Sequence, residues 1–204
     1  SKDMGAHQPN GGWRGRKAEI YEGGHRVPML VRWPGVVAPG SESDETVCHT
    51  DLLATIADYL DVPIPENAGE DSYNLMPVLR GQKTKQPLRE ATVHHSVAGM
   101  FAIRQGDWKL IEGETAGGFA AGSTKKAEQL AQEWPVMDPV TRDWKAFTYP
   151  IHDYDLHNPV YRLYNLKDDP GETLDLAAKH PEQVEALKAL LNRYRQSGRS
   201  VSPR

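Results

Sequence analysis

One lysine lies among three arginines near the start of the sequence, within a glycine-rich stretch from Gly12 to Gly35. The lysine is Lys17, and its basic neighbours are Arg14, Arg16 and Arg26. An arginine presents a flat fork of donors and a lysine a compact point charge, and both suit tetrahedral oxyanions. Glycines let the backbone approach a ligand closely. The pattern predicts an anion-binding site beside a hydrophobic strand, since Val27 to Trp33 follows as a predicted buried strand.

The elements predicted after this site are helices first and strands later in the chain. Thr50 can cap a helix from Asp51 to Leu60, whose apolar residues fall on one face. A short helix is predicted at 75–79, ended by Gly81. The later pattern is that of strands, and the predicted strands are 91–97, 100–104 and 108–111 as a hairpin, and 162–166.

These elements predict two parts of an α/β protein. Residues 1–85 are expected to be the end of an α/β domain. Residues 86–204 are expected to form a small antiparallel sheet packed with a C-terminal helix at 181–196, which begins at a proline. Between its strands, residues 113–160 are predicted to be a long irregular loop, and a loop of this length in a compact domain often carries function.

Composition excludes several classes of protein. The chain has 204 residues, of which 38% are hydrophobic, and a formal net charge of −4. No segment approaches the roughly 20 apolar residues of a membrane helix, so no membrane span is expected. The mild charge does not indicate a nucleic-acid partner, which calls for a basic surface. The single cysteine, Cys48, excludes a disulfide within the chain and is expected to be a passive buried thiol.

Five segments together carry a family signature. In chain order they are RGRKAEIYEGGHRVP, HTDLLATIADYLDVP, DSYNLMPVLRG, FAIRQGDWKLI and RLYNLKDDPGETLDLA. From about Gly11 to about Tyr194 the chain resembles the C-terminal half of the formylglycine-dependent sulfatases of the alkaline-phosphatase-like superfamily. The resemblance implies the C-terminal part of an alkaline-phosphatase-like sandwich, followed by a small antiparallel sheet and a C-terminal helix.

The same resemblance implies the hydrolysis of sulfate esters, with a sulfated carbohydrate as the expected substrate. In the family, hydrated formylglycine attacks sulfur while Ca²⁺ polarises the sulfate oxygens. The C/S-x-P-x-R motif that yields formylglycine does not occur in this chain, where Leu52 stands at the arginine position after Cys48. Nucleophile and metal ligands are therefore expected in an N-terminal half, a partner without which this chain is inactive. A periplasmic or secreted location is also implied.

Site residues follow from the family motif. Lys17 is expected to contact the sulfate oxygens and the leaving-group oxygen, although an isolated lysine would otherwise be interpreted as a solvated surface residue. His25, at the variable position of E-G-G-x-R, is expected to face solvent or substrate if Arg26 points inward. Further substrate-binding candidates are His7 and Arg104, the latter with a structural salt bridge as its alternative. No metal ligand is predicted in this chain.

Other polar residues are given structural interpretations. Glu22 and Arg26 are predicted to form a buried ion pair that fixes the loop against the strand. His94 and His95, adjacent on a strand, are expected to face opposite sides. Two rival functions remain open. One is a related phosphatase or phosphonate hydrolase of the same superfamily, and the other is a non-catalytic binding or assembly module.

Overall fold

The computed structural model describes residues 9–83, 85–118 and 160–202. Within these residues, three helices come first, four strands follow, and a fourth helix comes last. In chain order the elements are α1 (Glu22–His25), α2 (Asp51–Tyr59), α3 (Met76–Leu79), β1 (Thr92–His95), β2 (Phe101–Gln105), β3 (Trp108–Glu112), β4 (Tyr161–Asn165) and α4 (Pro181–Ser197). His7 and most of the predicted loop 113–160 lie outside the described residues.

The four strands form one sheet in the order β1-β2-β3-β4. β2 and β3 are antiparallel with Gln105 opposite Trp108, so their loop has two residues. Gly106 begins that loop with φ +57°, a left-handed conformation that glycine adopts without a steric penalty. β3 also pairs with β4 in antiparallel orientation, with Leu110 opposite Leu163. The predicted hairpin and small antiparallel sheet are confirmed.

The sheet contributes to a hydrophobic core that includes the segment after Lys17. Its buried members are Ile20, Tyr21, Met100, Ala102, Ile111, Tyr164 and Leu166. Burying an aliphatic or aromatic side chain of this kind stabilises a fold by about 1.5–3 kcal/mol. The segment that carries the basic residues is therefore anchored by Ile20 and Tyr21.

Helix α4 is confirmed within one residue of its predicted end. Its predicted apolar face is buried, and comprises Val184, Leu187, Leu190, Leu191 and Tyr194. Helix α2 is also confirmed, but Thr50 does not cap it with its side chain. The Asp51 carboxylate accepts the Cys48 N–H (2.6 Å), and it also accepts the Tyr73 N–H (3.0 Å). Both donors lie outside the helix, so Asp51 ties flanking segments to the start of α2. It does not replace the cap expected from Thr50.

The prediction of a buried strand from Val27 to Trp33 is wrong for this chain. The segment is extended but pairs with no strand among the described residues. Val27 is 60% exposed and Leu30 is 93% exposed. A strand buried on both faces needs neighbours on either side, and the described part of the chain supplies none. The chain therefore exposes apolar side chains here.

The chain divides into two compact units, each built from separate stretches of sequence. One comprises residues 1–27 and 93–185, and the other residues 28–92 and 186–204. The first holds α1 and strands β2 to β4, and the second holds α2 and α3. The division of the family domain at residue 85 stays a prediction. None of the described helices has the length and hydropathy needed to cross a membrane.

Candidate functional site

Lys17 lies at the tip of a tight turn. The Glu19 N–H donates to the Arg16 carbonyl at 2.9 Å, which closes the turn. Ala18 has φ +82°, a left-handed conformation that costs a residue with a Cβ about 1–3 kcal/mol. Its carbonyl accepts the Val97 N–H at 2.9 Å. The hydrogen bond from Val97 therefore holds the strained turn from a distant part of the sequence. Lys17 itself is exposed.

Two of the neighbouring arginines are engaged by the protein itself. Arg14 donates from Nη1 to the Glu172 carbonyl at 2.7 Å, and its guanidinium lies 3.8 Å from the centre of the Tyr21 ring. Arg16 Nε lies 3.4 Å from the Glu19 carboxylate. The first contact is a structural tether across the sequence, and the second is a local surface ion pair of small energetic value.

The third arginine is engaged as well. Arg26 lies over the ring of Trp13 at 4.0 Å, and its Nη1 is 3.5 Å from Glu22 Oε2. By contrast, the ammonium of Lys17 makes no ion pair with any residue in 9–83, 85–118 or 160–202. Of Lys17 and its three arginine neighbours Arg14, Arg16 and Arg26, Lys17 is the one without a protein partner for its charge in the described part of the chain. Arg32, later in the same stretch, is also exposed.

A buried lysine on the sheet holds this segment in place. Lys109, on β3, is fully buried with a side-chain exposure of 0%. Its Nζ lies 3.0 Å from Glu22 Oε1 and 2.8 Å from Glu172 Oε1. It also donates to the Ile20 carbonyl at 2.9 Å and lies 3.3 Å from His25 Nε2. The Lys109 cluster, meaning Lys109 with Glu22, Glu172, Ile20 and His25, joins the basic segment to β3.

The two carboxylates of the Lys109 cluster are also linked to each other. The backbone N–H of Glu22 donates to Glu172 Oε2 at 2.6 Å. Burial alone raises the pKa of Glu22, but the hydrogen bond with His25 and the charge of Lys109 outweigh it and hold that pKa well below its usual range. Glu22 is therefore ionised at neutral pH, and Lys109 is the buried cation that balances it.

The predicted ion pair of Glu22 with Arg26 is present, but Glu22 has a closer partner that was not predicted. Glu22 is buried and ion-paired as expected, but the close partner is Lys109, while Arg26 approaches at 3.5 Å with a side chain 44% exposed. Arg104 also approaches Glu22 Oε2, at 3.4 Å, and its Nε donates to the Gly106 carbonyl at 2.9 Å. This geometry is that of a structural salt bridge for Arg104, and its predicted contact with substrate stays a prediction.

The expected orientation of His25 is reversed. His25 ends α1 three residues after Glu22 and so lies on the same side of the turn, with Nε2 3.4 Å from Glu22 Oε1. Arg26 is the more exposed of the two. The His25 side chain is 28% exposed, which leaves part of the ring accessible. Its contact with substrate therefore stays a prediction.

His25 stacks on a second histidine. The ring centres of His25 and His94 are 3.6 Å apart, and His94 Nε2 lies 3.2 Å from the Ile20 carbonyl. Burial lowers the pKa of His94, and the neighbouring His25 and Lys109 lower it further, so His94 is neutral at neutral pH. His95 is exposed on the next position of β1. The two histidines thus differ in exposure as the strand alternation predicted.

Two glycines let the backbone of α1 lie directly against the turn of Lys17. A Cβ on Gly24 would lie 2.1 Å from the Glu19 carbonyl oxygen and 2.9 Å from that of Arg16. A Cβ on Gly23 would lie 2.5 Å from the Gly15 carbonyl oxygen. These neighbours are backbone atoms, which cannot swing aside as a flexible side chain can. The glycine pair is therefore explained by close packing of two backbone segments.

We expect Gly24→Ala to lower the free energy of unfolding by about 3 kcal/mol, the upper range for overpacking, because its methyl group collides with backbone. Urea unfolding followed by tryptophan fluorescence measures this. Gly12→Ala is the matched control, because a Cβ there meets nothing within 4 Å. Equal stability of the two variants would contradict the close approach at Gly24.

Cys48 is half-buried, and it has no disulfide partner. Burial raises the pKa of its thiol, with Arg89 opposing the shift. A thiol with a raised pKa is protonated at neutral pH and is a poor nucleophile. The structure agrees with a passive Cys48, although it is less buried than the sequence predicted.

The sequence interpretation missed Lys109 and Glu172. Lys109 stands in an apolar strand between Trp108 and Leu110, and a buried lysine is rare unless it is paired. The position of Lys109 between two apolar residues of a strand was the signal that could have indicated a buried, paired lysine. Glu172 follows Pro170-Gly171, which is typical of a turn, and its φ of +51° places it in one, but its carboxylate is fully buried. Nothing local in the sequence indicates that burial.

Comparison with known proteins identifies the family. Residues 11–116 match the family described as "N-sulphoglucosamine sulphohydrolase, C-terminal". The chain belongs to this family of sulfatase C-terminal regions, as its motifs predicted. It is 31% identical over 189 residues to the N-acetylgalactosamine-6-O-sulfatase of Bacteroides thetaiotaomicron, covering 92% of this chain and 31% of the relative. It is 35% identical over 182 residues to human arylsulfatase A, covering 85% of this chain and 31% of the relative.

Solved structures agree with this assignment. A structure from work on the metabolism of multiple glycosaminoglycans by Bacteroides thetaiotaomicron superposes with a TM-score of 0.67 at 30% identity, covering 94% of this chain and 33% of the other. A second structure, solved with its substrate D-glucosamine-2-N,6-O-disulfate, has a TM-score of 0.53 at 19% identity, covering 84% and 28%, and shows the fold alone. The chain thus spans about a third of the length of these relatives.

Proposed function

We propose that this chain is the C-terminal part of a sulfatase that hydrolyses a sulfate ester, and that Lys17 binds the sulfate group. The observation that carries the proposal is the state of the four basic residues. Arg14, Arg16 and Arg26 contact protein groups, whereas Lys17 is exposed at the tip of a turn and has no ion-pair partner within the described residues.

Lys17 suits the charge that this reaction develops. When the S–O bond of a sulfate ester breaks, negative charge grows on the leaving oxygen. A fixed ammonium beside that oxygen stabilises the transition state more than the ground state, which is the condition for acceleration. The turn holds the ammonium in place. The Ala18 carbonyl and the buried Ile20 and Glu22 anchor the chain after Lys17, and Arg14 anchors the chain before it.

Calcium and formylglycine are proposed to belong to an N-terminal part of the enzyme. Among the described residues, no group of three or more His, Cys, Asp or Glu side chains is arranged to hold a metal ion. The described residues therefore do not fit a calcium site. In the proposal, formylglycine supplies the nucleophile, and this chain supplies Lys17 and part of the pocket wall.

A sulfated carbohydrate is the proposed substrate. The name of the 31% identical relative specifies a 6-O-sulfate of N-acetylgalactosamine, and the 30% identical structure comes from work on glycosaminoglycan metabolism. His25, with its ring edge partly exposed near the base of the Lys17 turn, is the candidate for contact with the sugar. His7 and Arg104 are kept as further substrate-binding candidates.

The N-terminal part is also proposed to cover the apolar surface that this chain exposes. The side chains concerned include Val27, Leu30, Leu52, Leu53 and Ile56. Exposed apolar side chains in such numbers are typical of an interaction surface. A periplasmic or secreted enzyme is proposed by analogy with the sulfatases that act on extracellular glycans.

The test compares this chain with the full-length protein. The 204-residue chain, incubated with calcium and a chromogenic sulfate ester, is expected to show no turnover above a heat-inactivated control. The full-length protein, co-expressed with the enzyme that forms formylglycine, is expected to hydrolyse a sulfated hexosamine. Turnover by the isolated chain would contradict the proposal that the nucleophile and the calcium site lie in an N-terminal part of the enzyme. Preference of the full-length protein for a phosphate monoester would favour the related phosphatases instead.

A further inference from the structure

We infer that Lys109 is a positioning residue for the sulfate site, acting through the backbone that carries Lys17. This inference rests on the proposed function. Because Lys109 is fully buried, it cannot contact the substrate itself. Its place in the mechanism would be to fix where the Lys17 turn stands relative to the sheet.

The contacts of Lys109 converge on the segment after Lys17. Its Nζ donates to the carbonyl of Ile20 at 2.9 Å and lies 3.0 Å from the carboxylate of Glu22. It also approaches His25 Nε2 at 3.3 Å. One ammonium therefore touches three residues between positions 20 and 25. A side chain whose only purpose was to fill the core would not need hydrogen bonds to one segment at three points.

A second anchor reaches the same segment through Glu172. This carboxylate lies 2.8 Å from Lys109 Nζ and accepts the backbone N–H of Glu22 at 2.6 Å. Its backbone carbonyl accepts Arg14 Nη1 at 2.7 Å, on the other side of the Lys17 turn. Lys109 and Glu172 together thus hold the chain both before and after Lys17.

The remaining backbone bonds of the turn depend on this anchorage. The Ile20 N–H donates to the Ala116 carbonyl, and the Val97 N–H donates to the Ala18 carbonyl, both at 2.9 Å. Because Ala18 is held in a left-handed conformation, the turn has a relaxed alternative that it adopts once its anchors loosen. Moving the Lys17 ammonium by about 1 Å is enough to lower a reaction rate roughly 100-fold.

The test uses Lys109→Arg in the full-length sulfatase. Arginine keeps the positive charge, but its wider planar head cannot take the place of a compact ammonium in a fully buried site. We expect kcat to fall roughly 10- to 100-fold while KM changes less than about 2-fold. Lys167→Arg, at an exposed position in the turn after β4, is the matched control and is expected to leave both constants unchanged.

A second readout does not depend on activity. Hydrogen–deuterium exchange of the same full-length proteins is expected to be faster in the peptide spanning 14–26 of Lys109→Arg and unchanged in the peptide spanning α2. A role confined to global stability would speed exchange in both peptides and leave kcat unchanged below the unfolding temperature. If Lys109→Arg does not fold, Glu172→Gln, which keeps the shape of the side chain, replaces it in both measurements.

The outcomes separate the inference from the proposed function. Wild-type full-length protein that hydrolyses no sulfate ester overturns the proposed function, and the exchange measurement still decides whether Lys109 positions the segment. An active enzyme whose folded Lys109→Arg and Glu172→Gln variants keep normal kcat and normal exchange at 14–26 overturns the inference. Reduced kcat with unchanged KM and local loss of protection supports it.

Discussion

Replacing Lys17 by alanine in the full-length sulfatase is expected to lower turnover roughly 100- to 1,000-fold, the usual loss for one preorganised donor to a developing oxyanion. The loss should fall mainly on kcat, because the ammonium is proposed to act on the leaving oxygen as its charge grows. Lys17→Arg is not expected to restore the rate, since the guanidinium is wider and its charge is spread over three nitrogens. Steady-state kinetics with saturating substrate measures both variants.

Arg16→Ala is the matched control for Lys17→Ala. Arg16 is exposed, adjacent, and paired only locally with Glu19 in the described part of the chain, so its loss should change kcat by no more than about 3-fold. His25→Ala should instead alter preference between two sulfated substrates. Near-normal turnover by Lys17→Ala would show that the sulfate group is bound elsewhere and would remove the basis of the proposed function.

Replacing Lys109 by methionine is expected to lower the free energy of unfolding by about 3–5 kcal/mol, the cost of removing one partner from a buried ionic group. Methionine is one atom shorter than lysine and lacks only the terminal ammonium position, so little of this cost comes from a cavity. What remains is a pair of buried carboxylates, Glu22 and Glu172, without the cation between them. Urea unfolding of the variant and of Lys167→Met, an exposed control, measures the difference.

The pH dependence of that loss distinguishes charge from packing. In the wild type the pKa of Glu22 is held below its usual range, so its stabilising contribution is present above the unfolded pKa and is lost as the pH falls. In Lys109→Met, burial without the cation raises the pKa of Glu22. The deficit should therefore shrink as the pH falls, first because Glu22 in the variant becomes neutral above the usual carboxyl pKa, and then because the wild type loses its own Glu22 contribution below that pKa. A deficit independent of pH would attribute it to packing instead.

Local patterns in the sequence predicted the parts of this fold that depend on local physics. The β2–β3 hairpin follows from alternating apolar residues around Gly106, and α4 from the spacing of its apolar face after Pro181. The two glycines between Glu22 and Arg26 led to the correct prediction that Glu22 is buried, while the role of Lys17 stays a prediction. In each case the signal lies within a few residues of the feature that it predicts.

Features that depend on distant partners were not predicted. Glu22 was paired with Arg26, its neighbour in sequence, whereas its close partner Lys109 lies 87 positions away. His25 was expected to face outward if Arg26 points inward, and in the structure Arg26 is the more exposed of the two side chains. Val27 to Trp33 has the composition of a buried strand, but burial requires neighbouring strands that the described residues do not contain.

The Lys109 cluster also constrains the order in which the proposed sulfate site can form during synthesis. Glu172 stands 150 positions after Glu22, and Lys109 lies between them in the chain. A ribosome releases the basic segment long before it releases the residues that hold that segment in place. Until Glu172 emerges, the nascent chain carries Lys17 on a turn without its full set of anchors. A premature stop between the second strand and residue 172 would thus yield a product that retains Lys17 yet lacks the groups that orient it.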